Sequence, residues 1–162
     1  MISSILASTP SGGIGNRGTL PWPHQKGDMA WFKKHTINNV VVMGRKTWED
    51  PLMPKPLPDR INYVVTNRRL LESGAFTIQG DVTQKLKVIE KSYPKKEIFV
   101  IGGQQIYEAT KDIVQRVYLT RINGNYFADT RLQLESYLRC FRIRSVRPGT
   151  DCTYEVWDRV FF

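Results

Sequence analysis

Two short apolar runs constrain the fold more than any other feature of the chain. Residues 40–43 read VVVM and residues 98–101 read IFVI, and a glycine follows each run. A strand with one solvent-exposed face alternates apolar and polar residues, so an unbroken run indicates a strand that is covered on both faces. Parallel sheets flanked by helices bury their strands in this way. We therefore expect an α/β fold with parallel central strands.

Elsewhere the periodicity alternates between strand and helix. Helices are expected over residues 27–36, 45–50, 82–91 and 103–110, and strands over residues 2–8, 39–43, 61–66, 75–79, 97–101, 114–123, 138–147 and 153–161. The last two strands flank Pro148 and Gly149, which predicts an antiparallel hairpin at one sheet edge. The prediction is a single domain over residues 1–162, with a central, mixed, mostly parallel eight-stranded sheet flanked by four helices.

Composition and charge narrow the function classes. The longest apolar run, residues 40–43, is far too short to span a bilayer, and residues 1–7 lack the basic start of a signal peptide. We therefore expect a cytoplasmic protein without membrane contact. The net charge of +9 attracts anions, but Lys and Arg are dispersed and no zinc-finger or RNP-like motif accompanies them. A small polyanionic ligand explains part of this charge, and no nucleic acid is expected.

The chain has two cysteines, Cys140 and Cys152, on either side of the predicted turn. If the turn centres on residues 148–151, Cys152 faces roughly Arg147, and Cys140 faces the far end of the partner strand, so geometry opposes a disulfide. Neither cysteine has a nearby histidine or a Cys-x-x-Cys spacing. We expect free thiols and no metal site.

Asp28 lies where a glycine- and proline-rich loop leads into a helix with an apolar face. Pro21 and Pro23 fix the backbone on both sides of Trp22, and the helix then carries Asp28 and, on the same surface, apolar Met29 and Phe32. An acid beside an apolar wall suits a flat heterocycle with ring N–H groups. The alternative is that Asp28 is an N-cap and its neighbours are ordinary core residues.

Two further segments have the chemistry of phosphate sites. In one, a strand runs through Gly44 into a helix start that carries Arg45, Lys46 and Thr47. Free N–H groups and cations at such a point hold phosphate. In the other, the paired glycines of residues 102–103 join a buried strand to a helix. Both glycine turns are also compatible with tight packing alone, but together they favour a dinucleotide. Neither segment is a G-x-G-x-x-G or Walker sequence.

Together these residues resemble the dihydrofolate reductase family over nearly the whole chain. The similar segments occur in the family's order: residues 14–22, Asp28 with residues 31–33, residues 42–49, residues 57–60, residues 100–103, residues 118–120 and residues 128–130. No single segment is specific, but their ordered combination is. The resemblance implies an enzyme of tetrahydrofolate biosynthesis and one-carbon metabolism that transfers hydride from NADPH to dihydrofolate and is a target of antifolates such as methotrexate. A monomer is expected.

The resemblance also implies roles for individual residues. Asp28, Leu20 and Trp22 are the expected catalytic set, in which Asp28 binds the pteridine and favours its protonated form, Leu20 caps the site and Trp22 holds a water linked to Asp28. Arg60 would pair with the substrate's α-carboxylate. The expected substrate-binding residues are Ile5, Ala7, Asp28, Met29, Phe32, Lys33, Leu57, Arg60, Ile101, Tyr107 and Thr120.

For the cofactor, the resemblance implies that Arg45 with Asn67 or Arg68 neutralises the 2′-phosphate and that the bond between Gly102 and Gly103 is cis. Gln105 stands where relatives often have a cation. The expected NADPH-binding residues are Ala7, Ile14, Gly15, Leu20, Gly44, Arg45, Lys46, Thr47, Thr66, Asn67, Arg68, Ile101, Gly102, Gly103, Gln104, Gln105 and Ile106.

Two alternative functions remain open from the sequence. A riboflavin-pathway pyrimidine reductase has a similar fold and NADPH site, but we expect it to lack the element that runs from residues 21–22 to Asp28. A basic nucleic-acid-binding module is the alternative that is not an enzyme. His24 and His35 are expected to be exposed rather than catalytic, because neither has a nucleophile or a second metal ligand beside it in the sequence.

Overall fold

The computed structural model describes residues 1–23, 25–70 and 72–161, and these contain ten strands and five helices. The strands are β1 (Ile2–Ser8), β2 (Gly13–Gly15), β3 (Val40–Gly44), β4 (Ile61–Val65), β5 (Ala75–Ile78), β6 (Ile98–Gly102), β7 (Arg116–Ile122), β8 (Thr130–Arg131), β9 (Phe141–Gly149) and β10 (Cys152–Arg159). The helices are α1 (Lys26–Thr36), α2 (Arg45–Trp48), α3 (Val82–Ser92), α4 (Gln104–Thr110) and α5 (Leu134–Tyr137).

The two apolar runs form β3 and β6, which are neighbours in the middle of an eight-stranded sheet. The strand order is β5-β4-β3-β6-β1-β7-β10-β9. The first six strands in this order pair in parallel, and β10 is antiparallel to both β7 and β9. The predicted fold class, a mostly parallel sheet with an antiparallel hairpin at one edge, is therefore confirmed.

Alternate residues of β3 enter different hydrophobic clusters. Val40 and Val42 pack with α3 and α4 on one face of the sheet, whereas Val41 and Met43 pack with Trp31 of α1 on the other. All four β3 side chains have 0% exposure, which accounts for the unbroken apolar run in the sequence. The sheet is covered by helices on both faces, and α1 covers the face that carries Ile5, Tyr118 and Tyr154.

The structure differs from the sequence prediction in three short elements. A fifth helix, α5, occupies part of the segment before β9, so β9 begins at Phe141 rather than at 138. Strands β2 and β8 form a separate two-stranded sheet. These elements have two to four residues each, which is too short for periodicity, and they depend on distant partners such as the Tyr137 hydroxyl bond to Ser4 Oγ at 2.9 Å.

The structure bears on two further expectations, one for the cysteines and one for the histidines. Both cysteines are free, as predicted, but Cys152 pairs with Gly149 rather than with Arg147 because β9 continues through Gly149 to a two-residue turn. His35 is half-buried between the rings of Trp31 and Tyr118, so the expectation that it is exposed is wrong. His24 lies outside the described residues. No helix among the described residues is both long and apolar enough to cross a membrane.

Candidate active site

Asp28 lies in the first turn of α1, which is the helix that covers one face of the sheet. The N-cap of this helix is Gln25, and no side chain caps its end, so the alternative that Asp28 is the N-cap is wrong. Burial raises the pKa of the Asp28 carboxyl, and the nearby Thr120 hydroxyl partly offsets the increase. Thr120 lies on β7, and its register partners are Ala7 on β1 and Tyr154 on β10. One row of side chains across three strands therefore faces the turn that carries the acid.

The apolar side chains predicted to form the pocket are mostly in one cluster on this face. Ile5, Trp22 and Leu57 are buried in it, and Ala7, Phe32 and Ile101 pack against it. The remaining predicted wall residue, Met29, is 49% exposed on the outer side of α1, and Lys33, which was also predicted to bind substrate, is exposed as well. The cluster gives Asp28 an apolar neighbourhood on the protein side and leaves the outer surface of α1 open.

Tyr107 and Thr120 make different kinds of contact. The Tyr107 hydroxyl on α4 donates to the Ile5 carbonyl at 2.9 Å and is fully enclosed, so it ties α4 to β1 beneath the site. Burial raises the pKa of Tyr107, and the nearby Tyr137 and Asp28 add to this increase. Thr120 Oγ1 is buried, and it has no partner within direct hydrogen-bonding distance in the described part of the chain, as is also true of Trp22 Nε1. Both groups remain available to a ligand or a water.

Arg60 is held just before β4 with its guanidinium beside α1. Its Nε donates to the Pro58 carbonyl at 2.8 Å, and one terminal nitrogen donates to Thr36 Oγ1 at 3.1 Å. The same guanidinium lies 5.9 Å from the centroid of the Phe32 ring. Burial lowers the pKa of Arg60, and Asp59 opposes this change, so the group stays a cation with N–H groups left over for an anion.

The loop that follows β2 is fastened by a residue to which the sequence interpretation gave no role. Asp129 accepts a hydrogen bond from the Arg17 backbone N–H at 2.8 Å, and its own N–H donates to the Gly15 carbonyl at 3.0 Å. Arg17 has a φ of 52°, and Leu20, at the end of this loop, is 42% exposed. The Arg17 N–H and the Thr130 hydroxyl lower the pKa of Asp129. The Asp129 carboxylate therefore stays charged as the pH falls into the acid range, and it continues to hold the loop there.

The two glycine-containing turns predicted to bind phosphate are brought together by the pairing of β3 with β6. A Cβ on Gly102 would lie 3.3 Å from Thr47 Oγ1, and one on Gly44 would lie 3.1 Å from Ile106. Neither α2 nor α4 has a side-chain cap, so their first N–H groups have neither an intrahelical nor a capping partner. The peptide bond between Gly102 and Gly103 is cis, as expected.

The other predicted cofactor residues border these turns or lie farther out. Arg45 pairs with Glu49 at 3.2 Å, and Lys46 is exposed. Thr66 follows β4 and accepts a hydrogen bond from the Arg68 N–H at 3.0 Å, which orders the segment containing Asn67. Gln104 and Gln105 open α4, and Ile14 and Gly15 belong to β2. The cations and amides therefore lie along the carboxyl ends of parallel strands, where ligands bind in open α/β sheets.

Comparison with known proteins identifies similar chains. The dihydrofolate reductase family profile matches residues 1–147. A dihydrofolate reductase of Bacillus subtilis (strain 168) is 38% identical over 129 residues, covering 80% of this chain and 73% of the relative. A dihydrofolate reductase type 8 of Escherichia coli is 33% identical over 158 residues, with coverage of 94% and 92%.

A solved structure is similar over almost the full length. It is the dihydrofolate reductase from Enterococcus faecalis complexed with NADP(H) and RAB-propyl. The TM-score is 0.81 at 27% sequence identity, and the match covers 98% of this chain and 96% of that one.

The contact between Asp129 and Arg17 predicts that the loop loosens when the carboxylate is removed. In Asp129→Ala, amide exchange at Arg17 is expected to accelerate by tenfold or more, because local opening then exposes that N–H to water. The measurement is hydrogen exchange followed by NMR. Asp112→Ala removes a similarly exposed carboxylate after α4 and serves as the control. Unchanged exchange at Arg17 in Asp129→Ala would contradict the role of Asp129 as an anchor.

Proposed function

The chain belongs to the dihydrofolate reductase family and is an oxidoreductase, and we propose that it reduces 7,8-dihydrofolate to 5,6,7,8-tetrahydrofolate with NADPH as the hydride donor. The observation that carries this proposal is the Asp28 carboxyl, whose pKa is raised by burial against an apolar cluster. A pteridine ring presents an amino group and a ring N–H to such an acid, and a charge-assisted pair can form there. Because Asp28, Arg60 and Gly102 all come from one chain, we further propose a monomeric enzyme.

Asp28 has two tasks in the proposed reaction. Its carboxylate orients the pteridine, and its negative charge favours the substrate that is protonated at N5. Burial raises the pKa of this carboxyl, so its charge is disfavoured in the free protein, and a pteridine that donates hydrogen bonds to it offsets that cost. Thr120, beside it on β7, offers a further hydroxyl to the same part of the ring.

The residues around the proposed NADPH site match the chemistry of its parts. The N–H groups at the starts of α2 and α4 suit the pyrophosphate, and Arg45 and Arg68 suit the 2′-phosphate that distinguishes NADPH from NADH. Glycine at 102 keeps the backbone close to Thr47 without an intervening side chain. The bound nicotinamide supplies the hydride. Leu20 and Trp22 would exclude bulk water from the site during the reaction.

Arg60 fits the other end of the substrate. Its contacts with Pro58, Thr36 and Phe32 fix the guanidinium beside α1. Less side-chain entropy is therefore lost when Arg60 binds an anion. A carboxylate on a flexible tail, such as the α-carboxylate of dihydrofolate's glutamyl group, is the ligand that this arrangement suits. A pyrimidine reductase is expected to lack the element that runs from residues 21–22 to Asp28, which this chain has.

The proposed reaction is tested by following the absorbance of NADPH with dihydrofolate present. The expected result is one NADPH consumed for each tetrahydrofolate formed, inhibition by methotrexate, and slower reaction with NADH because the 2′-phosphate contacts are lost. Turnover of a riboflavin-pathway pyrimidine with none of dihydrofolate would overturn the proposal. A salt-dependent gel shift without turnover would instead favour the nucleic-acid-binding module.

The geometry of Arg60 predicts a selective effect on ligands that carry a carboxylate tail. Arg60→Leu should weaken dihydrofolate and methotrexate by about 2–5 kcal/mol, the usual range for truncating one partner of a hydrogen-bonded charge pair. Trimethoprim has no such tail, and its affinity should change little. Calorimetric titration of both inhibitors measures this, with Arg142→Leu on the exposed strand β9 as the control. Equal losses for both inhibitors would mean that Arg60 shapes the pocket generally.

A further inference from the structure

Tyr154 on β10 packs against the turn of α1 that carries Asp28. Its ring stacks on Trp31 with a centroid separation of 4.6 Å and an interplanar angle of 21°. The residue is only 8% exposed. Trp31 lies three residues after Asp28, at the other end of the same helical turn, so the ring contacts the helix close to the acid on the side that faces the sheet.

The hydroxyl of the same tyrosine reaches the residue directly before the acid. A Cβ placed on Gly27 would lie 2.6 Å from the Tyr154 hydroxyl oxygen but 3.9 Å from the ring carbon that bears it. Real Cβ contacts are essentially never shorter than 3.0 Å. Glycine at position 27 therefore allows the helix backbone to approach the Tyr154 hydroxyl oxygen closely. This oxygen is the atom with which a larger residue at position 27 would clash.

The ring has little freedom to move away. On the hairpin side, a Cβ on Gly149 would lie 2.5 Å from Tyr154 Cε2, so backbone of β9 lies directly against the ring. Trp31 covers a face of the ring. The backbone of Tyr154 is fixed on both sides, by pairing with Thr120 on β7 and with Arg147 on β9. A group added at Gly27 would consequently displace the helix turn rather than the tyrosine.

A second contact joins the same hairpin to the start of α1. The side-chain amide of Gln25 donates to the carbonyls of Thr150 and Asp151 in the β9–β10 turn, at 3.4 and 3.5 Å. Gln25 is the residue directly before α1, whereas Gly27, which the Tyr154 hydroxyl contacts, is the second residue of the helix. The hairpin therefore supports the helix start at two points that are independent of each other.

We propose that Tyr154 is a positioning residue whose hydroxyl, through its contact with Gly27, sets the depth at which Asp28 sits against the sheet. The consequence for catalysis rests on the proposed function, whereas the consequence for the Asp28 carboxyl does not. Removing the hydroxyl leaves space beneath the helix start, and adding a methyl group at Gly27 pushes the turn outward. Either change alters the position of the carboxyl relative to Thr120.

The ionisable groups around this contact come from several elements. Tyr107 on α4 and Tyr154 on β10 both experience the negative charge of Asp28, and Arg147 on β9 lies 5.9 Å from the Trp31 ring and near Tyr154. Burial, the Cys152 thiol and Asp28 raise the pKa of Tyr154 to about 12. Tyr154 therefore keeps its proton throughout the range in which a carboxyl titrates, and a change in that range reports on Asp28.

The experiment is a double-mutant cycle of Gly27→Ala and Tyr154→Phe. Gly27→Ala alone should lower the single-turnover rate of dihydrofolate reduction by about 10- to 100-fold, as expected for a catalytic group displaced by up to an ångström. Tyr154→Phe alone should cost only a few-fold, because the ring and its stacking remain. In the Tyr154→Phe background, Gly27→Ala should cost less than about threefold, since the nearest atom is then at an ordinary contact distance.

A second measurement does not depend on turnover. The Asp28 carboxyl is titrated by NMR in the four proteins of the cycle, with the signal assigned from Asp28→Asn. Gly27→Ala should move its pKa down toward that of an ordinary aspartate, because the displaced turn admits water, and Tyr154→Phe should restore it. If the wild type fails to reduce dihydrofolate, this titration still decides the positioning role while the proposed function fails separately.

The outcomes divide clearly. Wild-type behaviour of Gly27→Ala, or equal losses from that substitution with and without the tyrosine hydroxyl, would overturn the proposal. Thermal unfolding is recorded for every variant, and alanine is favourable in a helix, so the fold is expected to survive. If Gly27→Ala unfolds and the double variant does not, the clash is supported directly. If Gly27→Ala and the double variant both unfold, the Asp28 pKa is measured in Tyr154→Leu, which lacks the ring and the hydroxyl. A pKa equal to that of the wild type would overturn the positioning role of Tyr154. Tyr63→Phe, whose hydroxyl lies 3.4 Å from that of Tyr93, controls for loss of a tyrosine hydroxyl elsewhere.

Discussion

The rest of the site depends on one half-buried carboxylate, that of Asp28, which lies beside an apolar cluster. Asp28 forms no ion pair with any described residue, and burial raises its pKa. A charge that is partly removed from water and has no ion-pair partner is costly to folding, so the surrounding structure must hold it in place. The row formed by Ala7, Thr120 and Tyr154 across three strands supplies that support. A ligand that donates hydrogen bonds to the carboxylate would recover the lost interaction energy.

The parallel sheet explains why the other site residues converge. Gly44 and Gly102 end neighbouring strands, and each is followed by a helix with free N–H groups. The carboxyl ends of parallel strands lie at one edge of the sheet, so phosphate-binding groups collect there whatever their separation in the chain. Asp28 reaches the same region through α1, which crosses one face of the sheet. The order of the parallel strands therefore determines both the fold and the positions of the groups proposed to bind ligands.

The features that could be predicted from the sequence were those with a local signal. The unbroken run of β3, the helix that carries Asp28 and the turn before β10 each had a periodicity or a breaker residue. The contact of Arg17 with Asp129 joins residues 112 apart, and the contact of Gly27 with Tyr154 depends on the exact register of β10. Such contacts have no local pattern. His35 was predicted to be exposed for the same reason, because only the folded chain brings Tyr118 beside it.

The central claim is that the fold holds Asp28 in a site that opposes its charge, and unfolding free energy against pH tests it most directly. With the pKa raised in the folded state, the folded protein binds the proton more tightly than the unfolded chain, so the charged carboxyl lowers stability above that pKa. This cost disappears as pH falls through the folded pKa to the unfolded value. Asp28→Asn should therefore be more stable than the wild type at pH 7, with the difference shrinking in acid. Equal or lower stability of Asp28→Asn at pH 7, or a difference that does not change with pH, would contradict the claim.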